Sequence, residues 1–181
     1  MSITTHGPEP RALPGIRLRR PTIADAVAIH QLVVRSPPLD VNSVYAYLLW
    51  CRDFAATSVV AVRGNRLAGF VTGYRPPRDP ATYFAWQSAV DPALTRPGLA
   101  FAMMTEVADR ARRTGARFFE TTVNPGNRAV VMLVRKLARH YGGAPEVSTL
   151  FESADLGGDH EPEVRYRFPL PAPGIEIDGT G

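Results

Sequence analysis

The chain has 181 residues, of which 45% are hydrophobic and 21% charged, values typical of one soluble globular domain. No apolar run approaches the ~20 residues of a membrane span, and we expect no signal peptide. The net charge of +4 comes from arginines scattered along the chain, with Lys136 the only lysine, which argues against a nucleic-acid-binding surface. The single cysteine, Cys51, excludes an internal disulfide and indicates a reducing cytoplasm.

Hydrophobic periodicity predicts a regular succession of strands and helices in one domain, residues 15–170. Residues 1–14 and 171–181 are expected to be flexible tails. In chain order the predicted elements are a strand at 15–21, helices at 22–36 and 40–50, strands at 57–62, 67–74 and 83–90, a helix at 98–113, a strand at 117–123, a helix at 128–139, and paired strands at 147–151 and 164–168. This order predicts an α+β fold with helices on the faces of a mixed sheet.

The second helix carries the first candidate ligand contacts. It follows a stiff break at residues 36–39, and Asp40 is placed to cap it. Tyr45 lies three residues after Asn42 on the same helix face, so this face is a candidate ligand surface. The alternative is that Asp40 is only a cap and that the tyrosines of this helix are half-buried packing residues.

Residues 84–104 predict an anion site. They form a strand, a short loop with Gly98 and an amphipathic helix. The first N–H groups of a helix lack partners, and the helix dipole places positive potential there. A phosphorylated cofactor would be held at residues 95–101, with its reactive end along the preceding strand. The alternative is an ordinary strand–loop–helix unit that binds nothing.

The loop at residues 95–100 resembles the pyrophosphate loop of the GNAT N-acetyltransferases, which usually reads Arg/Gln-x-x-Gly-x-Gly/Ala. The chain keeps the final Gly-x-Ala but has Thr95 at the first position and Pro97, which has no N–H, inside the loop. The resemblance implies acetyl-CoA as the donor. The residues that we expect to bind it are Ala89, Val90, Arg96, Gly98, Leu99, Ala100 and Asn127.

Four other segments resemble the diaminobutyrate acetyltransferases, a branch of the GNAT family that acts in ectoine synthesis. They are residues 36–48, 86–91, 120–127 and 160–167, within a resemblance that runs from about Ile16 to Phe168. It implies a mixed sheet of about seven strands flanked by about four helices. It also implies L-2,4-diaminobutyrate as the acceptor at its 4-amino group, no metal, a cytoplasmic homodimer, and neither nucleic-acid nor membrane partners.

This chemistry requires an amine that has lost its proton, and an alkyl ammonium titrates near ~10.4. Glu120 is the expected base, with a structural ion pair to an arginine as the alternative. His160 is the expected proton relay, with an exposed loop histidine as the alternative. Many GNAT enzymes protonate the leaving thiolate with a tyrosine at the position of Val134, so the acid is unassigned here, and Tyr141 or water are alternatives.

The acceptor must also be oriented so that only one amine reaches the thioester. Asp40 or Glu161 is expected to bind an ammonium group of the substrate. Tyr45 and Trp86 are expected to line the pocket, where their ring faces favour a cation. The alternatives are that Trp86 is a core residue and that Asn127 only caps a helix.

Two other functions stay open on the sequence. One is a GNAT enzyme for another small diamine or amino acid. The other is a GNAT-fold binding module without catalysis, which the substitutions at Thr95, Pro97 and Val134 suggest.

Overall fold

A seven-stranded mixed sheet with four α-helices organises the protein, in a computed structural model that describes residues 13–158 and 160–174. The strands are β1 (Arg17–Arg19), β2 (Val59–Arg63), β3 (Arg66–Tyr74), β4 (Thr82–Val90), β5 (Phe118–Val123), β6 (Glu146–Phe151) and β7 (Glu163–Pro169). The helices are α1 (Ala26–Val34), α2 (Val44–Asp53), α3 (Leu99–Arg113) and α4 (Arg128–His140). The predicted α+β class and element order are confirmed. Most residues of the two predicted tails, 1–12 and 175–181, lie outside the described residues.

The strand order is β1-β2-β3-β4-β5-β7-β6, and β4–β5 is the parallel pair among antiparallel neighbours. That pairing runs from Thr82 opposite Phe118 to Ala85 opposite Thr121. Beyond Ala85, β4 continues to Val90 with β3 as its recorded partner. The two parallel strands therefore separate, and the second half of β4 borders a cleft.

A β-bulge interrupts β4 at the start of this cleft. Thr72 lies opposite Gln87 and Gly73 opposite Ala85, so Trp86 is an extra residue on β4. The side chains of Trp86 and Gln87 consequently both contact α2. Gly73 lies at this bulge, and a Cβ there would overlap the Tyr83 hydroxyl group.

Hydrophobic residues cover both faces of the sheet. On one face α3 and α4 pack against a cluster that includes Tyr83, Phe119 and Phe168. On the other, α1 and α2 pack against a smaller cluster that includes Phe70. Cys51 belongs to this second cluster, and burial raises the pKa of its thiol to about 11, as expected for a structural thiol. No helix within the described residues is both long enough and apolar enough to cross a bilayer.

The start of α2 differs from the prediction. The helix begins at Val44, and the Ser43 hydroxyl accepts a hydrogen bond from the Ala46 N–H at 3.2 Å. The prediction that Asp40 caps this helix is therefore wrong, because Asp40 lies three residues before the cap. Its backbone is held by β4 instead.

An ion pair fixes the start of α1. Both Asp25 carboxylate oxygens accept hydrogen bonds from the Arg19 guanidinium at 2.7 Å, and one also accepts from the Thr22 N–H. Burial alone would raise the pKa of Asp25, but the bonds from Arg19 and Thr22 lower it below its ordinary value. The pair ties β1 to the short 3₁₀ turn that leads into α1.

Candidate active site

The loop from β4 to α3 is held in a fixed shape by Asp91. Its carboxylate accepts a hydrogen bond from the Ala93 N–H at 2.9 Å, and its carbonyl oxygen accepts from the N–H groups of Leu94 and Thr95. The Leu94 side chain anchors the loop in the core. The segment that follows is exposed but begins from a rigid turn.

The N-terminus of α3 offers the geometry of an anion site. Gly98 caps the helix with a φ of +87°, a left-handed conformation that favours glycine. The Leu99 N–H donates to the Arg96 carbonyl, while no protein acceptor is recorded in this described segment for the N–H groups of Ala100 and Phe101. Free N–H groups and the helix dipole point toward solvent here. Cofactor binding by Arg96, Gly98, Leu99 and Ala100, and by Ala89 and Val90 on β4, stays a prediction.

Asn127 begins α4 beside the end of β5. Its Oδ1 atom accepts a hydrogen bond from the Val130 N–H at 3.3 Å, so the alternative that it caps this helix is confirmed. A cap does not prevent the side-chain amide from donating to a ligand, and the cofactor contact stays a prediction.

Glu120 lies in β5 between Phe84 on β4 and Arg167 on β7. Its side chain is 10% exposed, and Oε2 is 3.5 Å from the Arg167 Nε atom. The Arg167 guanidinium lies 3.7 Å from the Phe118 ring centroid and also contacts Asp79 at 3.3 Å. The alternative of an acid paired with an arginine is therefore observed, and catalysis by Glu120 stays a prediction.

A polar cavity of about 440 Å³ lies on this side of β5, β7 and β6. Its charged lining residues are Arg78, Asp79, Glu120, Glu146, Arg165 and Arg167. Side-chain exposure is 46% for Asp79 and 69% for Glu146. Glu120 is therefore the carboxylate of this cavity best shielded from water. In residues 13–158 and 160–174 no cluster of three or more potential metal ligands is found.

Trp86 forms an aromatic wall with α2. Its ring stacks on Trp50 with centroids 4.7 Å apart and planes 12° from parallel. Phe54, Tyr74 and Phe84 extend the cluster along β3 and β4. Trp86 is only partly buried, so part of its ring remains available to a ligand.

Asp40 is placed beside this wall by a residue that the sequence reasoning missed. The Gln87 Nε2 atom donates to the Asp40 carbonyl oxygen at 2.9 Å, and Gln87 Oε1 accepts from the Tyr47 hydroxyl at 2.9 Å. Gln87 is 7% exposed. A polar residue within the apolar strand at 83–90 was the signal that could have identified it.

The other residues predicted to take part in acceptor binding or proton relay lie in separate parts of the structure. Tyr45 is 68% exposed on the first turn of α2, and the His160 side chain is exposed in the loop before β7. The Glu161 carboxylate reaches Gly126 in the loop between β5 and α4, where the cleft opens. The structure thus brings the Asp40 backbone to Gln87, the residue after Trp86, and brings Glu161 to the loop between β5 and α4.

Tyr141 does not serve the cleft. Its hydroxyl donates to the Asp109 carboxylate at 2.9 Å, and burial raises its pKa well above the ordinary value. It follows the last residue of α4, about 20 Å along the helix from Asn127. Val134 itself is buried in the core. The alternative that Tyr141 protonates the leaving thiolate is therefore wrong.

Residues 26–138 match the family model described as "Acetyltransferase (GNAT) family". This match covers more than half of the chain, and the separated parallel strands followed by a glycine-capped helix agree with it. The chain belongs to the GNAT family of acetyltransferases.

Within that family, curated relatives of this chain include L-2,4-diaminobutyric acid acetyltransferases. The Streptomyces coelicolor protein is 44% identical over 163 residues, which cover 88% of this chain and 96% of the relative. The Nocardia farcinica protein is 41% identical over 151 residues, 83% of this chain and 78% of the relative.

A solved structure agrees with these relatives. Diaminobutyrate acetyltransferase EctA from Paenibacillus lautus, in complex with its substrate L-2,4-diaminobutyric acid and coenzyme A, has a TM-score of 0.78 and 32% identity to this chain. The match covers 89% of this chain and 98% of that chain. The GNAT fold inferred from the sequence is confirmed.

Proposed function

We propose that this protein transfers the acetyl group of acetyl-CoA to the 4-amino group of L-2,4-diaminobutyrate. The product is 4-N-acetyl-L-2,4-diaminobutyrate, an intermediate of ectoine synthesis under osmotic stress. The observation that carries the proposal is the 44% identity to a diaminobutyric acid acetyltransferase over almost its entire length. The cleft supports it, because the anion loop follows the end of β4 and the aromatic–acidic pocket lies at the middle of the same strand, where the cleft begins.

The acetyl-CoA phosphates fit the N-terminus of α3. The free N–H groups of Ala100 and Phe101 donate hydrogen bonds to an anion there, and Arg96 adds a positive charge. The second half of β4, which has separated from β5, borders the path from this loop to Trp86.

The acceptor is oriented at the other end of the cleft. Asp40, or Glu161 from beside the β5–α4 loop, offers a carboxylate for the 2-ammonium group, and the Trp86 ring favours a cation on its face. With the 2-ammonium group bound in this pocket, the 4-amino group is the amine that reaches the thioester. Selectivity for the length of the diamine follows from this arrangement.

The reaction is direct attack of the neutral amine on the thioester carbon. A C–N bond forms, the C–S bond breaks, and the electron pair leaves with the CoA sulfur. Glu120 accepts the amine proton, directly or through water, and His160 relays protons to solvent. Water protonates the thiolate. A strong acid is unnecessary because the CoA thiol has a moderate pKa and its thiolate leaves readily, and the Tyr141 hydroxyl is bonded to Asp109.

Acetylation of a diamine panel tests this function. The protein is incubated with acetyl-CoA and either L-2,4-diaminobutyrate, ornithine or lysine, thiol release is measured, and NMR identifies the acetylated nitrogen. A strong preference for diaminobutyrate with acetylation at the 4-amino group supports the proposal. Equal rates with all three substrates would assign a broader diamine acetyltransferase. Acetyl-CoA binding without turnover would contradict an enzymatic role.

We also propose a cytoplasmic homodimer. Val147 and Phe151 on the edge strand β6 and Met132 on α4 are large apolar side chains that are 46–72% exposed, and an exposed apolar edge favours association. Buried Cys51 suits a reducing compartment. Light scattering after size-exclusion chromatography tests the dimer, and a monomeric mass at micromolar concentration would contradict it.

A further inference from the structure

Gln87 connects three separate parts of the fold through one buried amide. From β4 it accepts a hydrogen bond from Tyr47 on α2 and donates one to the backbone of Asp40 in the α1–α2 loop, both at 2.9 Å. These partners lie 40 and 47 residues away in the sequence. The amide therefore links the loop to β4 and α2 through contacts between residues that are distant in the sequence.

The direction of the amide is set by its partners. A Tyr47 hydroxyl that donates to Oε1 leaves Nε2 facing the Asp40 carbonyl, where only a donor is favourable. A flipped amide would place Gln87 Oε1 against the Asp40 carbonyl oxygen, and neither atom can donate a hydrogen bond. Burial increases the cost of leaving either group unpaired, so the chain from Tyr47 through Gln87 to Asp40 favours one arrangement.

The loop has few other recorded attachments near Asp40. Arg35 contacts the Asp91 carboxylate at 3.7 Å, and the Ser36 hydroxyl donates to the Leu32 carbonyl, both at the beginning of the loop. Asp40 itself is exposed. Two contacts within the loop lie close to Asp40: the Leu39 N–H donates to the Ser36 carbonyl at 3.1 Å, and the Asn42 side-chain amide donates to the same Asp40 carbonyl at 3.4 Å. The Gln87 bond is the recorded hydrogen bond that joins the Asp40 backbone to β4, where Trp86 is the preceding residue.

We infer that Gln87 is a positioning residue for the acceptor. It fixes the Asp40 backbone beside Trp86 so that the Asp40 carboxylate meets the substrate ammonium, and Tyr47 orients the Gln87 amide. This role rests on the proposed function, in which Asp40 binds that ammonium. It makes affinity for the acceptor, and not affinity for acetyl-CoA, depend on a side chain that contacts neither.

Two variants measure this dependence. Gln87→Met keeps the length of the side chain and removes both hydrogen bonds, and we expect the KM for diaminobutyrate to rise about tenfold, which corresponds to about 1.4 kcal/mol. Tyr47→Phe keeps the Gln87–Asp40 bond, so its effect is smaller, about threefold. The KM for acetyl-CoA stays unchanged in both. Equal increases in the two KM values would indicate a general structural defect and overturn the inference.

A control variant matches the loss of a buried hydrogen bond. The buried Ser58 hydroxyl accepts from the Gly73 N–H at 3.4 Å and has no link to Asp40. Ser58→Ala is expected to leave the KM for diaminobutyrate unchanged, with unfolding temperatures recorded for all variants. A comparable rise in this control would overturn the specific role of Gln87.

A double-mutant cycle separates this inference from the proposed function. Asp40→Asn removes the carboxylate charge but keeps the backbone carbonyl, so adding Gln87→Met should cause no further rise in KM. A full additional tenfold rise would overturn the positioning role while leaving Asp40 in the site. If Asp40→Asn alone leaves the KM unchanged, Asp40 does not bind the substrate and the inference fails, although diaminobutyrate acetylation itself would stand.

Trypsin reports directly on the loop. Arg35 precedes the loop and Arg63 is the last residue of β2, just before the β2–β3 turn, and both are exposed. We expect Gln87→Met to increase the rate of cleavage after Arg35 relative to cleavage after Arg63, as measured by mass spectrometry. An unchanged ratio would show that the loop does not depend on Gln87 and would overturn the inference.

Discussion

At the Glu120 side chain, catalysis and ion pairing compete for one carboxylate. The Arg167 Nε atom lies 3.5 Å away, which is long for a charge-assisted hydrogen bond, and the same guanidinium contacts Asp79 at 3.3 Å. Arg167 therefore divides its donors between two acids. Glu120 keeps acceptor capacity on the side of the cavity, where water or an amine can use it.

Replacing Glu120 tests its role as the base. We predict that Glu120→Gln lowers kcat about 100-fold, the lower range for loss of a general base, while the KM for acetyl-CoA is unchanged. Steady-state kinetics across pH measure this. The control is Glu146→Gln, which removes an exposed carboxylate from the same cavity and should keep kcat. Unchanged turnover of Glu120→Gln across pH would remove Glu120 from the mechanism.

Among the elements, α3 carries the proposed anion site at its first turn. Gly98 adopts a left-handed conformation there, and a Cβ on Gly98 would meet nothing within 4 Å. The requirement for glycine is thus one of backbone conformation and not of space. Gly115, after the other end of the same helix, also has a positive φ, +95°.

Substitution at the two glycines separates binding from stability. We predict that Gly98→Ala costs about 1 kcal/mol of backbone strain and raises the KM for acetyl-CoA several-fold, because the free N–H groups shift. Gly115→Ala carries a similar strain and should lower the unfolding temperature without changing that KM. Calorimetric titration with acetyl-CoA would contradict the site at Gly98 if both variants bind equally well.

The Arg19–Asp25 pair makes the junction of β1 and α1 sensitive to acid. Because the pKa of Asp25 is lower in the folded than in the unfolded chain, its contribution is present above the unfolded pKa and is lost as pH falls through the folded pKa. We predict that Asp25→Asn lowers the free energy of unfolding by about 1–2 kcal/mol at pH 7. The difference from wild type should shrink as pH falls below about 4.

Urea unfolding at several pH values measures this difference. Asp53→Asn is the matched control, since Arg52 and Asp53 also lie 2.7 Å apart but are more exposed. We expect little effect from that variant. An effect of Asp25→Asn that keeps the same size throughout the acid range would show that the ionised pair is not its cause.

The elements were predictable from the sequence because the hydrophobic repeats of strands and helices are local. The start of α2 was not, since Asp40 and Ser43 are about equally good caps by local preference. In the structure Ser43 is the cap, and the Asp40 carbonyl accepts a hydrogen bond from Gln87 on β4, a long-range contact that no local pattern indicates. The pairing of Glu120 with Arg167 likewise depends on β7 lying beside β5, which no local pattern indicates.

For the whole molecule, the net charge of +4 favours an anionic donor over a cationic acceptor. Acetyl-CoA carries several negative charges, whereas diaminobutyrate at neutral pH carries two ammonium groups and one carboxylate. At 0.1 M salt the Debye length is about 10 Å, so exposed charges that are farther apart than this are largely screened from each other. The two substrates should therefore respond differently to ionic strength.

We predict that raising the salt concentration weakens acetyl-CoA binding while changing the KM for diaminobutyrate little. Calorimetric titration at several NaCl concentrations gives the slope. Arg96→Ala should reduce that slope, whereas Arg117→Ala, an exposed arginine at the start of β5, should leave it unchanged. Equal slopes for Arg96→Ala and wild type would place the phosphates elsewhere.

The β-bulge in β4 determines how closely spaced the side chains on one face of the strand can be. In a regular strand, side chains on one face are two residues, about 6.6 Å, apart. The extra residue places Trp86 and Gln87 consecutively against α2, so a ligand-facing ring and a loop-holding amide occupy adjacent positions. Deleting Trp86 would therefore do more than remove an aromatic ring: it would restore alternation and leave the amide without its neighbour. We therefore expect the number of residues in β4 at this point to affect specificity for the acceptor.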